Sequence, residues 1–191
     1  MDTATIDSVT DDDLMMAYSE GHHEAFDGLY LRYKNPLYQF VLNGCGNPSV
    51  AAEIFQEVWM SVIKARSNYQ ATGTFKAWVY RIARNKLIDH YRKNSGVNDQ
   101  PLDEESLNED VVALQLPLNP MEIAELEDDR QRVHTALADL PWSQREAVLL
   151  KTVAGFTLQE IAEQQGEQFD TVKSRLRYAY TKLRLKLRAS S

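Results

Sequence analysis

Residues 157–177 read TLQEIAEQQGEQFDTVKSRLR, and this stretch decides the fold. Thr157 followed three residues later by Glu160 is a capping box: the hydroxyl accepts from an end amide and the carboxylate reaches back to the cap amide. The short helix it opens turns Leu158, Ile161 and Ala162 inward and stops near Gly166. A longer helix follows. At about 100° per residue it puts Val172, Leu176, Ala179, Leu183 and Leu187 on one face and Lys173, Ser174, Arg177, Tyr178 and Thr181 on the other. A short helix, a glycine-containing turn and a basic second helix make the helix-turn-helix pattern, whose second helix enters the major groove of DNA. Arg177 or Lys173 can read a guanine edge, whereas Thr171 and Ser174 suit phosphate. An amphipathic surface helix with a basic outside is the plainer reading; cap, turn and cations together favour DNA.

Charge elsewhere in the chain supports this. The 191 residues carry a formal net charge of −7, which taken alone argues against a nucleic-acid partner. The sum hides an asymmetry. Eleven acids and no Lys or Arg lie between Asn94 and Asp129, whereas eight bases face the single acid Asp89 between Lys64 and Lys93. From Thr171 onward there are seven bases and no acid. Either basic island alone fits a solvated helix face; two of them, separated by an acidic segment, point to two DNA contacts and a connector that makes none.

Helical spacing dominates and strand-like alternation is nearly absent, so the expected fold is all-α, with two small helical domains. The first spans residues 10–95. Its helices break near Gly21, run from Leu37 to Leu42 up to stop signals at Gly44 and Gly46, and resume after Pro48 with Ser49 as cap. Ala52, Phe55, Val58, Trp59, Val62 and Ile63 then form an apolar stripe. Thr74, after Gly73, caps a helix from Phe75 to about Lys93. Residues 96–121, with Pro101, Pro117 and Pro120, read as an acidic linker whose apolar piece Val111 to Leu116 can order on a partner. The second domain spans 122–188: a helix from about Met121 to Ala138, a break at Leu140-Pro141, a helix from Trp142 to Val153, and the helix-turn-helix.

The helix beginning at Phe75 alternates aromatics with cations, a pattern suited to unpaired bases: rings stack on base faces while Arg and Lys hold the backbone. Trp78 and Ile82 read as core; Arg81 and Arg84 read as facing nucleic acid. On the helix before it, Glu53, Gln56 and Glu57 offer polar and acidic groups away from the Phe55–Trp59 stripe. That face suits a basic partner helix, and it also fits an ordinary solvated surface.

These segments resemble a known family. Gly155-Phe156-Thr157, Glu160-Ile161-Ala162 and Thr171-Val172-Lys173-Ser174-Arg175-Leu176 look like the last conserved region of sigma-70 factors, and Leu140-Pro141 with Arg145-Glu146-Ala147 resembles its entry. The short two-domain extracytoplasmic-function (ECF) group is the most similar, over nearly the whole chain outside the linker and tails. The resemblance implies a sigma region 2-type bundle and a region 4-type helix-turn-helix domain. It implies a non-catalytic RNA polymerase subunit that recognises promoter −35 and −10 elements and helps melt DNA.

By this resemblance Thr171, Lys173, Ser174, Arg175, Arg177, Tyr178 and Thr181 bind the −35 element. Tyr69, Lys76, Tyr80, Arg81, Arg84, Asn85, Lys86 and His90 serve the −10 element, with Asn85 helping to hold an extruded base under the loop of residues 68–74. Glu53, Phe55, Gln56, Glu57 and Trp59 dock on the clamp coiled coil of the β′ subunit of core RNA polymerase; the β subunit is a further contact, and the linker threads near the active-site and RNA-exit channels. Asp170 stands where the family usually has Gly, Ile54 where it commonly has Asp, and Tyr178 where relatives often carry Arg, so docking detail and promoter preference do not carry over at those positions.

A built-in C-terminal regulatory domain is not expected after the recognition helix, and the resemblance implies control in trans by an anti-sigma factor. The acidic start and the absence of a long apolar run make the cytoplasm the expected compartment, with the inner membrane face where an anti-sigma factor holds the chain. No metal set, cofactor motif or small-molecule substrate site is expected: His22-His23 lack a third ligand, and Cys45 is the one cysteine. A stand-alone helix-turn-helix regulator is the alternative binding protein. An enzyme acting on nucleic acid would need a metal or acid–base cluster that the sequence does not show.

Overall fold

The computed structural model describes residues 9–70, 74–95 and 127–189. Every regular element among them is helical. In order these are α1 (Asp11–Ser19), α2 (Glu24–Cys45), α3 (Pro48–Ala65), a 3-10 turn (Arg66–Asn68), α4 (Phe75–Ser95), α5 (Glu127–Ala138), α6 (Trp142–Thr152), α7 (Leu158–Gln165) and α8 (Phe169–Ala189). The chain divides into two compact units at Gly96. The linker, its apolar piece Val111 to Leu116, Gly73 and the helix onset at Met121 lie outside the described residues.

In the first unit, α2, α3 and α4 pack on one another, and α1 packs on α2, the 3-10 turn and α4. The expected stop at Gly44 is corrected: α2 runs unbroken from Glu24 through Pro36 to Cys45, and Gly46 ends it in the left-handed region at φ 77°. Gly44 has a packing role instead. A Cβ there would stand 2.7 Å from Leu87 Cδ1, so its absence lets α4 approach α2 closely. The Tyr91 hydroxyl donates to the Gly44 carbonyl at the same crossing.

The cap of α3 is Asn47, not Ser49: its side-chain oxygen accepts from the amides of Ser49 (2.9 Å) and Val50 (3.3 Å), with Pro48 just inside the helix. The apolar stripe also shifts. Ala51, Ile54, Val58, Trp59 and Val62 are buried, while Ala52 is exposed. Ile54 is therefore core. Thr74 caps α4 as expected, its hydroxyl accepting from the Ala77 amide at 3.2 Å.

The second unit packs α8 against α6, α7 and α5. The capping box at α7 is complete: Thr157 accepts from the Glu160 amide at 3.2 Å and donates its own amide to the Glu160 carboxylate at 2.7 Å. Gly166 closes the helix at φ 70°. Thr157→Ala is expected to cost about 1 kcal/mol, read as a lowered midpoint in chemical denaturation of the full chain.

Candidate nucleic-acid interface

The helix-turn-helix is held by a polar chain running through its turn. Gln165, the last residue of α7, donates to the Ser143 carbonyl and to Glu146 Oε2, both at 3.1 Å. Its carbonyl oxygen accepts from Arg175 Nη1 at 3.2 Å, and Arg175 Nη2 meets Glu167 at 2.7 Å. Glu146 is 1% exposed and Arg175 is mostly covered, so this network links α6, α7 and α8 from inside. Such a chain fixes the angle at which α8 leaves the turn. Arg175, which the resemblance places among the −35 contacts, points toward the turn, where Gln165 and Glu167 hold it.

The outer face of α8 keeps the other expected groups. Lys173, Ser174 and Arg177 are exposed, and Thr171, Tyr178 and Thr181 are half-buried. The Arg177 guanidinium lies over the Tyr178 ring at 5.1 Å and donates to its hydroxyl at 3.3 Å. Two candidate readers are thereby held against each other, which limits the conformations Arg177 loses on binding. The Thr181 hydroxyl donates back to the Arg177 carbonyl at 2.9 Å, so it is committed to its own helix. Asp170 is exposed in the first turn of α8, where a carboxylate favours the positive end of the helix dipole. Phe169, the first residue of α8, is exposed beside it.

On α4 the sorting differs most from expectation at Tyr80. Tyr80 is 1% exposed and packs edge-on against Phe40 with ring centroids 5.2 Å apart. It belongs to the core, and burial pushes its hydroxyl well above the ordinary tyrosine range. Arg81 and Asn85 are exposed; Lys76, Arg84, Lys86 and His90 are half-buried. Lys86 pairs with Glu57 of α3 at 2.9 Å, so one group expected on the DNA side meets one expected on the polymerase side. Trp78 is half-buried, with Tyr69 edge-on at 5.1 Å. Ile82 is half-buried too, so both sit at the edge of the core where the sequence placed them inside it.

The α3 face presents Glu53, Gln56 and Glu57 outward, with Phe55 half-buried. Trp59 is corrected to a supporting place. It is 5% exposed, with Phe26 at 5.4 Å, Tyr30 at 5.1 Å and Phe55 at 6.2 Å around its ring. It supports the α3 face that carries Glu53, Gln56 and Glu57 from beneath.

Both units match known domains. The model of sigma-70 region 2 matches residues 29–97, and that of sigma-70 region 4 matches residues 130–183. The chain belongs to the sigma-70 family. Similar members bear the ECF name. The ECF RNA polymerase sigma factor SigE of Mycolicibacterium smegmatis is 29% identical over 160 residues, covering 84% of this chain and 60% of that one. The RNA polymerase sigma factor CarQ of Myxococcus xanthus is 27% identical over 173 residues, covering 89% and 93%. This chain thus spans three fifths of the first relative's length and nearly all of the second's. Among solved structures, CnrH in complex with the cytosolic domain of CnrY has a TM-score of 0.70 at 23% identity, covering 95% of this chain and 99% of that one. RpoE in complex with the anti-sigma factor NepR from Bartonella quintana has a TM-score of 0.65 at 22% identity, covering 87% and 98%. These likenesses give the same fold to this sigma-70 chain. No helix among its described residues is long and apolar enough to cross a membrane.

Proposed function

We propose that this chain is an ECF-type sigma factor that directs core RNA polymerase to promoters bearing two elements, without catalysing a reaction itself. The observation that carries the reading is the outward row Lys173, Ser174 and Arg177 on a second helix locked by its own turn, in a chain that also carries region 2. The region 4 unit anchors on the −35 element in the major groove, with Arg177 and Tyr178 as readers. The region 2 unit supports melting: Arg81 and Arg84 hold the backbone, and Asn85 with Tyr69 captures a base from the −10 element. Unstacking that base costs a few kcal/mol, which stacking and edge hydrogen bonds offset. Glu53, Gln56 and Glu57 dock on the β′ clamp coiled coil, and residues 96–121 connect the two units. Splitting affinity over tethered modules makes initiation depend on element spacing.

Control in trans is part of the same reading. Two proteins of this fold are solved in complexes, one with a protein named an anti-sigma factor and one with the cytosolic domain of CnrY. The chain would then act in the cytoplasm, and at the inner membrane face where its anti-sigma factor is membrane-linked.

Transcription in vitro and gel shift on a promoter library test this, with the protein alone, core polymerase alone, and both. Promoter-specific transcripts are expected only with both present. Tight sequence-specific binding by the protein alone, without polymerase-dependent initiation, would sink the proposal in favour of a stand-alone regulator.

A further inference from the structure

Asp12 lies in the first turn of α1, upstream of the residues that match region 2. Its Oδ1 accepts two hydrogen bonds from far along the chain: the Tyr69 hydroxyl at 3.0 Å and the Phe75 amide at 2.7 Å. Tyr69 directly follows the 3-10 turn after α3, and Phe75 is the first residue of α4. One carboxylate oxygen therefore joins the exit of one helix to the entry of the next. The Phe75 amide is among the donors that a helix start leaves without an intrahelical partner, and a carboxylate is the favoured acceptor there.

Asp12 is itself held in place. The adjacent Asp11 receives Arg32 Nη1 at 2.5 Å and the Tyr33 hydroxyl, which clamps α1 to α2. Thr10 caps α1 by accepting from the Asp13 amide at 3.1 Å. Burial and the bond to Asp12 raise the Tyr69 hydroxyl well above its ordinary range, so it stays protonated and donates at any physiological pH. Its ring is fixed from another side by Trp78. At about 100° per residue, Trp78, Ile82 and Asn85 fall along one stripe of α4 with Arg81 beside it, so Tyr69 stands at the N-terminal end of the stripe that carries Asn85.

We propose that Asp12 is a positioning residue for base capture: by holding Tyr69 to the start of α4, it sets how strictly one unpaired base of the melted −10 strand is discriminated. This rests on the reading of Tyr69 and Asn85 given above. A cap that served α4 alone would use the Phe75 amide and have no need of Tyr69.

The test uses the full chain assembled with core polymerase and measures equilibrium binding to promoter probes whose −10 strand is unpaired. The cognate-to-substituted affinity ratio is taken at each unpaired position. Asp12→Ala is expected to lower the ratio at one position about fivefold to tenfold, the worth of one well-placed hydrogen bond, while leaving the effect of −35 substitutions unchanged. Tyr69→Phe should lower the same ratio at the same position, and the two changes together should do no more than either alone. Asp12→Asn keeps an acceptor oxygen and should recover most of the ratio. It and Tyr69→Phe carry the test where Asp12→Ala does not fold. An unchanged ratio in Asp12→Ala beside a lowered melting temperature would overturn the proposal in favour of a helix cap, as would full additivity with Tyr69→Phe. If Tyr69→Ala and Asn85→Ala both leave every ratio at the wild-type value, the base-capture reading itself fails, and the proposal fails with it.

Discussion

Tyr80→Ala is expected to destabilise the first unit by about 3–5 kcal/mol, the range for deleting a buried aromatic ring. Denaturant unfolding followed by helical circular dichroism reads this directly. Arg81→Ala, one residue on, is expected to leave the unfolding midpoint within about 0.5 kcal/mol of wild type and to reduce promoter opening by polymerase. The contrast follows from α4 turning about 100° between neighbours: Tyr80 meets Phe40 inside, while Arg81 is exposed. If Tyr80→Ala melts like wild type but fails to open promoters, the ring belongs to the DNA surface and the packing described above is wrong.

A second pair separates orienting from reading in the helix-turn-helix. Arg177→Ala should weaken binding to −35 duplex by about 1–3 kcal/mol, the worth of a good side-chain contact to a base edge, and leave thermal stability unchanged. Arg175→Ala removes the partner of both Gln165 and Glu167 and leaves the buried Glu146 end of the chain less constrained. Its expected cost is about 1–3 kcal/mol of stability, with DNA affinity falling as a consequence. Titrating polymerase with each variant on promoters mutated singly across the −35 element distinguishes them. Arg177→Ala should relax preference at one base pair, whereas Arg175→Ala should weaken every promoter alike. Lost preference at a single position in Arg175→Ala would return that side chain to the DNA face.

Glu57 is paired with Lys86 across α3 and α4, and an exposed pair of this kind contributes little to stability. Trp59 lies beneath the α3 face that carries Glu57, in a cluster of rings, so its removal would loosen the packing of α2 against α3.

Much of this molecule is written in short-range signals. Thr157 and Glu160 are three residues apart, and their capping box depends on nothing beyond the first turn of α7; the same holds for Thr74 at α4 and for Gly166 in the left-handed region. The helical spacing of Val172, Leu176, Ala179 and Leu183 likewise determined which side of α8 is buried. Local geometry and the resemblance they carry were therefore legible at once. Where sequence reading went astray, a partner beyond the local turn decided the outcome. Gly44 is a sound stop signal until Leu87 needs the space above it. Tyr80 belongs to an aromatic and basic helix until Phe40 takes its ring, and Arg175 looks like its neighbours until Gln165 and Glu167 claim it. Asp12 was invisible for the same reason: its partners stand 57 and 63 residues away. Turn chemistry and helical period are properties of adjacent residues, so sequence alone determines them. Which of several chemically similar side chains is withdrawn from the surface depends on contacts that exist only after the helices pack, so tertiary structure alone decides it.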